Sequence, residues 1–228
     1  MTANGPVHVW TPAKYNAETA GIVVYVHGFY TQVDRAWRDH RLAQQFAESK
    51  LNAMFIACAA PRGPKDSVKW PSIEALLAAV AEQVPAGLPA GPVVAVGHSG
   101  AHRTMSQWLF EDRLDTIVFY DAFHGDMPQL QEWLERDPER RLINVAALTK
   151  PWAEELHAAL PDTVVFDRFP SPRAGKLKGA RDGRVVYVRS QHDHMGLVTN
   201  GVALPMLLRA VRLPLVANAS RTAPIRRR

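Results

Sequence analysis

The chain has 228 residues, 47% of them hydrophobic, and a formal charge of +5 at pH 7. That composition supports a sizeable core and excludes global disorder, and the single cysteine, Cys58, excludes a disulfide framework or a cysteine-rich metal site. Four arginines of the terminal run SRTAPIRRR carry most of the excess charge, and removing them from +5 leaves +1. The body is therefore nearly neutral, and nucleic acid is not an expected partner.

The first residues, MTANGPVHVWTPAKYNAETAG, hold no basic segment followed by an apolar one. No apolar run reaches the ~20 residues that a membrane span needs, so a cytoplasmic protein without a membrane span is expected. VHVW is predicted as an edge strand and GIVVYVHG as a strand buried on both faces. WRDHRLAQQFAESK follows as one helix, then the strand LNAMFIACAAP, in which Cys58 is expected as a buried small hydrophobe. PSIEALLAAVAEQV opens with Pro-Ser and carries Ile73, Leu76, Leu77 and Val80 at helical spacing.

PVVAVG is the next buried strand, AHRTMSQWLFED a helix and LDTIVFYDAF a strand. MPQLQEWLERD (helix), RRLINVAALT (strand) and PWAEELHAAL (helix) repeat the alternation. TVVF is compatible with a short edge piece, RVVYVRSQ is the last clear strand, and GVALPMLLRAVRL the last helix, interrupted at Pro205. This alternation predicts an α/β protein with a mostly parallel sheet. One domain over residues 1–215 and a basic, flexible tail over 216–228 are expected. The Pro/Gly-rich segment from Asp167 to Gly183 has the length of a functional loop and is the candidate lid.

The segment GHSGA lies between the strand PVVAVG and the helix after it. A serine at that junction must leave a strand and enter a helix at once, which strains its backbone and exposes its hydroxyl. Small neighbours are needed because the helix packs on the strand it has just left; Gly97 and Ala101 meet that need. The N–H of Gly100 can face the same point as the Ser99 hydroxyl. A phosphate cradle is excluded, since the bend lacks the Gly-Lys-Ser/Thr ending.

On these residues the chain resembles the α/β-hydrolase superfamily, from Ile22 to about Val198, with Ala101 standing where the motif has glycine. The resemblance implies a central sheet with helices on both faces and no large cap. It implies a serine hydrolase that cleaves an ester, thioester or amide of a small-molecule acyl substrate through an acyl-enzyme, without a cofactor. Ser99 would be the nucleophile, and the N–H groups of Phe29 and Gly100 would hold the oxyanion, Phe29 following His27-Gly28 in VVYVHGFY.

The histidine of such a triad follows the last strand, in VVYVRSQHDHMGLV, where His194 is preferred to His192 because His-Met-Gly-Leu opens a helix. A metal at HDH is not expected, since three consecutive residues on a strand cannot face one ion. The acid usually follows the strand before the final one, but RLINVAALTKPWAEE has no aspartate there and only Glu154 beyond. One strand earlier, TIVFYDAFHGD offers Asp121 and Asp126. The order of candidates is Asp121, Asp126, Glu154. His27, Gly28, Tyr30, His98, Trp70 and Phe123 are candidates for the substrate pocket. The competing reading is a non-catalytic binding or sensor protein that keeps this fold. Oligomeric state is not legible.

Overall fold

A computed structural model of the chain describes residues 4–85, 87–125 and 127–217. Asp126 and the basic tail from residue 218 onward lie outside the described residues. Eight strands form one sheet: β1 (Val7–Trp10), β2 (Gly21–Val26), β3 (Ala53–Cys58), β4 (Val93–His98), β5 (Leu114–Tyr120), β6 (Arg141–Ala146), β7 (Val164–Phe166) and β8 (Val185–Arg189). Their order is β1-β3-β2-β4-β5-β6-β8-β7; β1 is antiparallel to β3 and the other pairs are parallel. Every residue of β2, β3, β4 and β6 is buried, as apolar runs without alternation require of strands covered on both sides. The ambiguous TVVF is the edge strand β7, only half-buried because it has one neighbour.

The helices divide between two cores. Residues of α1 (Val33–Asp39), α2 (Leu42–Ser49), α7 (His194–Thr199) and α8 (Ala203–Ala210) pack on one face of the sheet. Residues of α3 (Ile73–Ala81), α4 (His102–Trp108), α5 (Met127–Glu135) and α6 (Lys150–Ala159) supply the other. The Cys58 side chain is buried in that second core. Among the described residues no connection is large enough for a cap domain, and no helix is long and apolar enough to cross a membrane.

Two expectations are corrected. WRDHRLAQQFAESK is two helices, broken where Arg41 takes a left-handed conformation at φ 49°. Gln45 bridges the break, donating to the carbonyls of His40 at 2.6 Å and Val198 at 2.7 Å. Pro205 does not interrupt the last helix, because α8 begins at Ala203 and places the proline in its first turn, where no N–H is needed. The candidate lid, residues 167–183, is anchored to the body near both ends. Phe169 is buried, its N–H and C=O both bonded to the Gln191 side chain, and Arg141 donates to the carbonyls of Ala180 and Gly183.

Strand order and register decide which loops meet. From β2 the chain moves outward to β3, then returns to β4 and proceeds the other way, so β2 and β4 flank the switch point at which α/β sheets bind ligands. Val26 lies beside Gly97, His98 beside Tyr120 and Tyr120 beside Val145. The residues that follow β2, β4, β5 and β6 therefore emerge side by side at one sheet edge.

Candidate active site

Ser99 leaves β4 and opens a short 3-10 turn that runs into α4. Its φ of 56° is the left-handed conformation that L-residues adopt at a cost of roughly 1–2 kcal/mol. Glycines make the turn possible. A Cβ on Gly97 would collide with the Met105 sulfur and lie 2.9 Å from the Ala101 Cβ, so the small-residue spacing reflects helix-on-strand packing. A Cβ on Gly28 would sit 2.8 Å from the Ser99 Cβ, and one on Gly100 would enter the Phe29 ring. Close approach of the β2 turn to the serine thus depends on both glycines. The Phe29 N–H donates to no backbone acceptor among the described residues.

Asp121 follows β5 directly, also left-handed at φ 53°, and is 0% exposed. Its carboxylate accepts from the N–H groups of Ala147 (2.8 Å), Leu148 (3.1 Å) and Thr149 (2.9 Å), and from the Thr149 hydroxyl (2.8 Å). The fifth donor is His194 Nδ1 at 2.6 Å. Burial alone would raise the Asp121 pKa, but the bonds from His194 and the three N–H groups outweigh it and hold the carboxyl well below the usual carboxylate range. The loop after β6 carries no aspartate; it carries the donors that receive one from β5.

His194 is the first residue of α7, whose N-cap Asp193 accepts the Gly196 N–H at 2.5 Å. His98, buried between β4 and this turn, donates from Nε2 to the His194 carbonyl at 3.1 Å, and the two rings lie 4.5 Å apart. Burial, then the neighbouring His194, pushes the His98 pKa down to about 3, so it serves as a neutral donor. His192 turns away, its ring 5.8 Å from that of Phe169. Glu154 is bound to Arg189 at 2.8 and 2.9 Å and accepts from the Tyr187 hydroxyl; its pKa is lowered to about 2, mainly by Arg189. The described residues therefore join Asp121, and not Glu154, to His194.

Ser99 and His194 share an open cleft of about 450 Å³ with Gly28, Phe29, Tyr30 and His98, among other residues. Thr31, Arg35, Asp39, His40, Met195 and Thr199 also line it. Sequence reasoning missed most of these because α1 and α7 reach the cleft only through tertiary packing.

Three pocket candidates are corrected. Trp70 is 2% exposed in the second core, its carbonyl accepting from Trp108 Nε1. Phe123 is buried against Phe119 in the same core. His27 is buried outside the cleft, where Nδ1 donates to the Gly28 carbonyl at 2.7 Å and Nε2 accepts the Ala60 N–H at 3.1 Å. Burial lowers its pKa, in keeping with a neutral ring that clamps the turn before Phe29. Among the described residues no cluster of three or more His, Cys, Asp or Glu side chains could hold a metal ion.

The architecture is found in solved structures of low sequence identity. An S-formylglutathione hydrolase of Staphylococcus aureus matches with a TM-score of 0.55 and 9% identity over 87% of this chain and 92% of that one. An S-formylglutathione hydrolase of Agrobacterium tumefaciens matches at 0.50 and 15% identity, over 91% and 89%. A thermophilic esterase of Thermogutta terrifontis matches at 0.50 and 13% identity, over 89% and 85%. No protein-family model matches the sequence, and no curated protein does. The likeness is one of fold: the chain has the α/β-hydrolase fold.

Proposed function

We propose that this protein is a serine hydrolase, esterase-like, that cleaves an ester, thioester or amide bond of a small acyl substrate in the cytoplasm. The observation that carries the reading is the 2.6 Å bond between His194 Nδ1 and the buried Asp121 carboxylate, in a cleft that also holds Ser99. An imidazole anchored at Nδ1 by an anion has Nε2 free to accept a proton. The fold also favours the reading, since the solved structures it resembles include esterases and S-formylglutathione hydrolases.

In this mechanism the Ser99 hydroxyl attacks the acyl carbon while its proton passes to His194 Nε2. Asp121 holds the tautomer and stabilises the imidazolium. The N–H groups of Phe29 and Gly100 receive the developing oxyanion, each contributing about 3 kcal/mol to the barrier reduction. His194 then protonates the leaving group, and water, activated by the same histidine, frees the acid and restores Ser99. No cofactor is required. The short connections among the described residues suit a substrate that enters from open solvent.

The test is intact-mass analysis after incubation with a fluorophosphonate probe, alongside Ser99→Ala. The expected result is one adduct on the native protein and none on the variant. A folded native protein that takes no adduct would instead support a binding or sensor role for the cleft.

A further inference from the structure

The cleft at Ser99 continues into a second hollow of about 360 Å³, lined by Tyr30, Thr31, Gln32, Arg35 and Arg62; Tyr30, Thr31 and Arg35 line both. Arg35 and Arg62 are exposed, and among the described residues neither makes an ion pair. The nearby acids bond to other groups. Asp34 is bonded to His8 at 2.7 Å, Asp39 to Arg38 at 2.8 Å, and Asp66 accepts the Arg62 backbone N–H at 3.0 Å. The lining of the hollow thus holds two guanidinium groups and no carboxylate.

Arg62 is tied to the reaction centre by backbone. The Tyr30 N–H donates to the Arg62 carbonyl at 2.7 Å, and Tyr30 directly follows Phe29. Arg103, from the first turn of α4, holds the other side of the Arg62 loop by donating to the carbonyls of Pro64 at 2.7 Å and Asp66 at 2.8 Å. Tyr30 itself is left-handed at φ 64°, and its side chain is 83% exposed at the junction of the two hollows. A planar guanidinium matches the two oxygens of a carboxylate, and the wall adds the hydroxyls of Tyr30 and Thr31 and the amide of Gln32 as further donors.

We propose that the Arg35–Arg62 hollow is a subsite for a free carboxylate on the substrate, several bonds from the scissile carbonyl, so that the natural substrates are acid-bearing esters or thioesters. The proposal rests on the hydrolase reading above. The carboxylate can belong to the acyl part or to the leaving group, and two substrate pairs separate these sources. One is mono-para-nitrophenyl adipate against its terminal primary amide. The other is the butyryl thioester of β-mercaptopropionate against that of β-mercaptopropionamide.

The expected result is that in one pair the acid exceeds its amide in kcat/KM by about tenfold or more at low salt. Arg35→Gln and Arg62→Gln each lower that ratio by about fivefold, the size of an exposed ion pair. Lys178→Gln, an equal loss of charge on a segment remote from the cleft, leaves the ratio unchanged. Raising NaCl to about 0.5 M brings the ratio toward one, because exposed charges are screened at that ionic strength. Equal turnover of acid and amide in both pairs, or a preference insensitive to both arginine substitutions, overturns the subsite and leaves the hydrolase standing. No turnover of any of the four substrates, together with no fluorophosphonate adduct, overturns both.

Discussion

Asp121→Asn exchanges one carboxylate oxygen for an NH2 group at a site where every neighbour is a donor. His194 Nδ1–H, the N–H groups of Ala147, Leu148 and Thr149, and the Thr149 hydroxyl all point at this side chain, at 2.6 to 3.1 Å. An amide has a single acceptor oxygen, and its own two hydrogens face donors, so either orientation leaves buried donors unpaired. Each such loss costs roughly 1–3 kcal/mol, which places the expected destabilisation near 3 kcal/mol, or roughly 6–12 °C in Tm. On the proposed mechanism the histidine tautomer is then no longer held, and kcat should fall by about ten-thousandfold.

The same substitution has a pH signature. The folded-state pKa of Asp121 is depressed, so its contribution to stability is complete above the unfolded value of about 3.9 and is lost as pH falls through that value toward the folded one. The stability gap between native protein and Asp121→Asn should therefore be constant near neutrality and narrow below about pH 4. Urea unfolding from neutral to acid pH, paired with hydrolysis of para-nitrophenyl butyrate, reads both effects. A kcat within about tenfold of native, or a gap that does not change with pH, would refute the assignment of Asp121.

Further outcomes follow from the same geometry. Ser99→Gly removes a Cβ from a left-handed residue at φ 56° and should raise stability by about 1 kcal/mol while abolishing the fluorophosphonate adduct; urea unfolding that shows no gain would mean the turn is unstrained. Gly97→Ala drives a methyl into Met105 and Ala101 and should cost about 1–3 kcal/mol, with part recovered in Gly97→Ala/Met105→Ala; a double-mutant cycle showing additivity would contradict that contact. Phe169→Ala should destabilise by about 3–5 kcal/mol yet leave KM for a small ester unchanged in the folded protein, since Phe169 is 1% exposed and does not line the cleft. A KM shifted more than about threefold would return residues 167–183 to the role of a lid.

Features that depend on neighbours in the chain are legible in the sequence. Ser99 stands out because strand, glycine turn and helix are contiguous, and the demand for small residues at Gly97 and Ala101 is a demand of that one turn. Chain order and a helix opening likewise single out His194 over His192. Features carried by loops are misjudged for a common reason. Trp70 and Phe123 are aromatics in loops, which suggests a pocket, yet their rings complete the core beneath it. The segment 167–183 has the composition of a mobile loop, but distant side chains, Gln191 and Arg141, bind its backbone.

By itself, then, the sequence determined the alternating α/β fold and the sharp turn at Ser99, because buried parallel strands need continuous apolar runs and a strand-to-helix turn needs glycine. Tertiary structure decided the partner of His194. Asp121 and its donors at 147–149 lie 26 to 28 residues apart, and His194 another 45 or more beyond, with nothing local to relate them. They meet because β5 lies between β4 and β6 in the sheet, so a carboxylate leaving β5 is received by the N–H groups of the next strand's loop and turned toward the histidine. An acid's identity is set by which strand ends are adjacent in space, and strand adjacency is a property of the folded sheet alone.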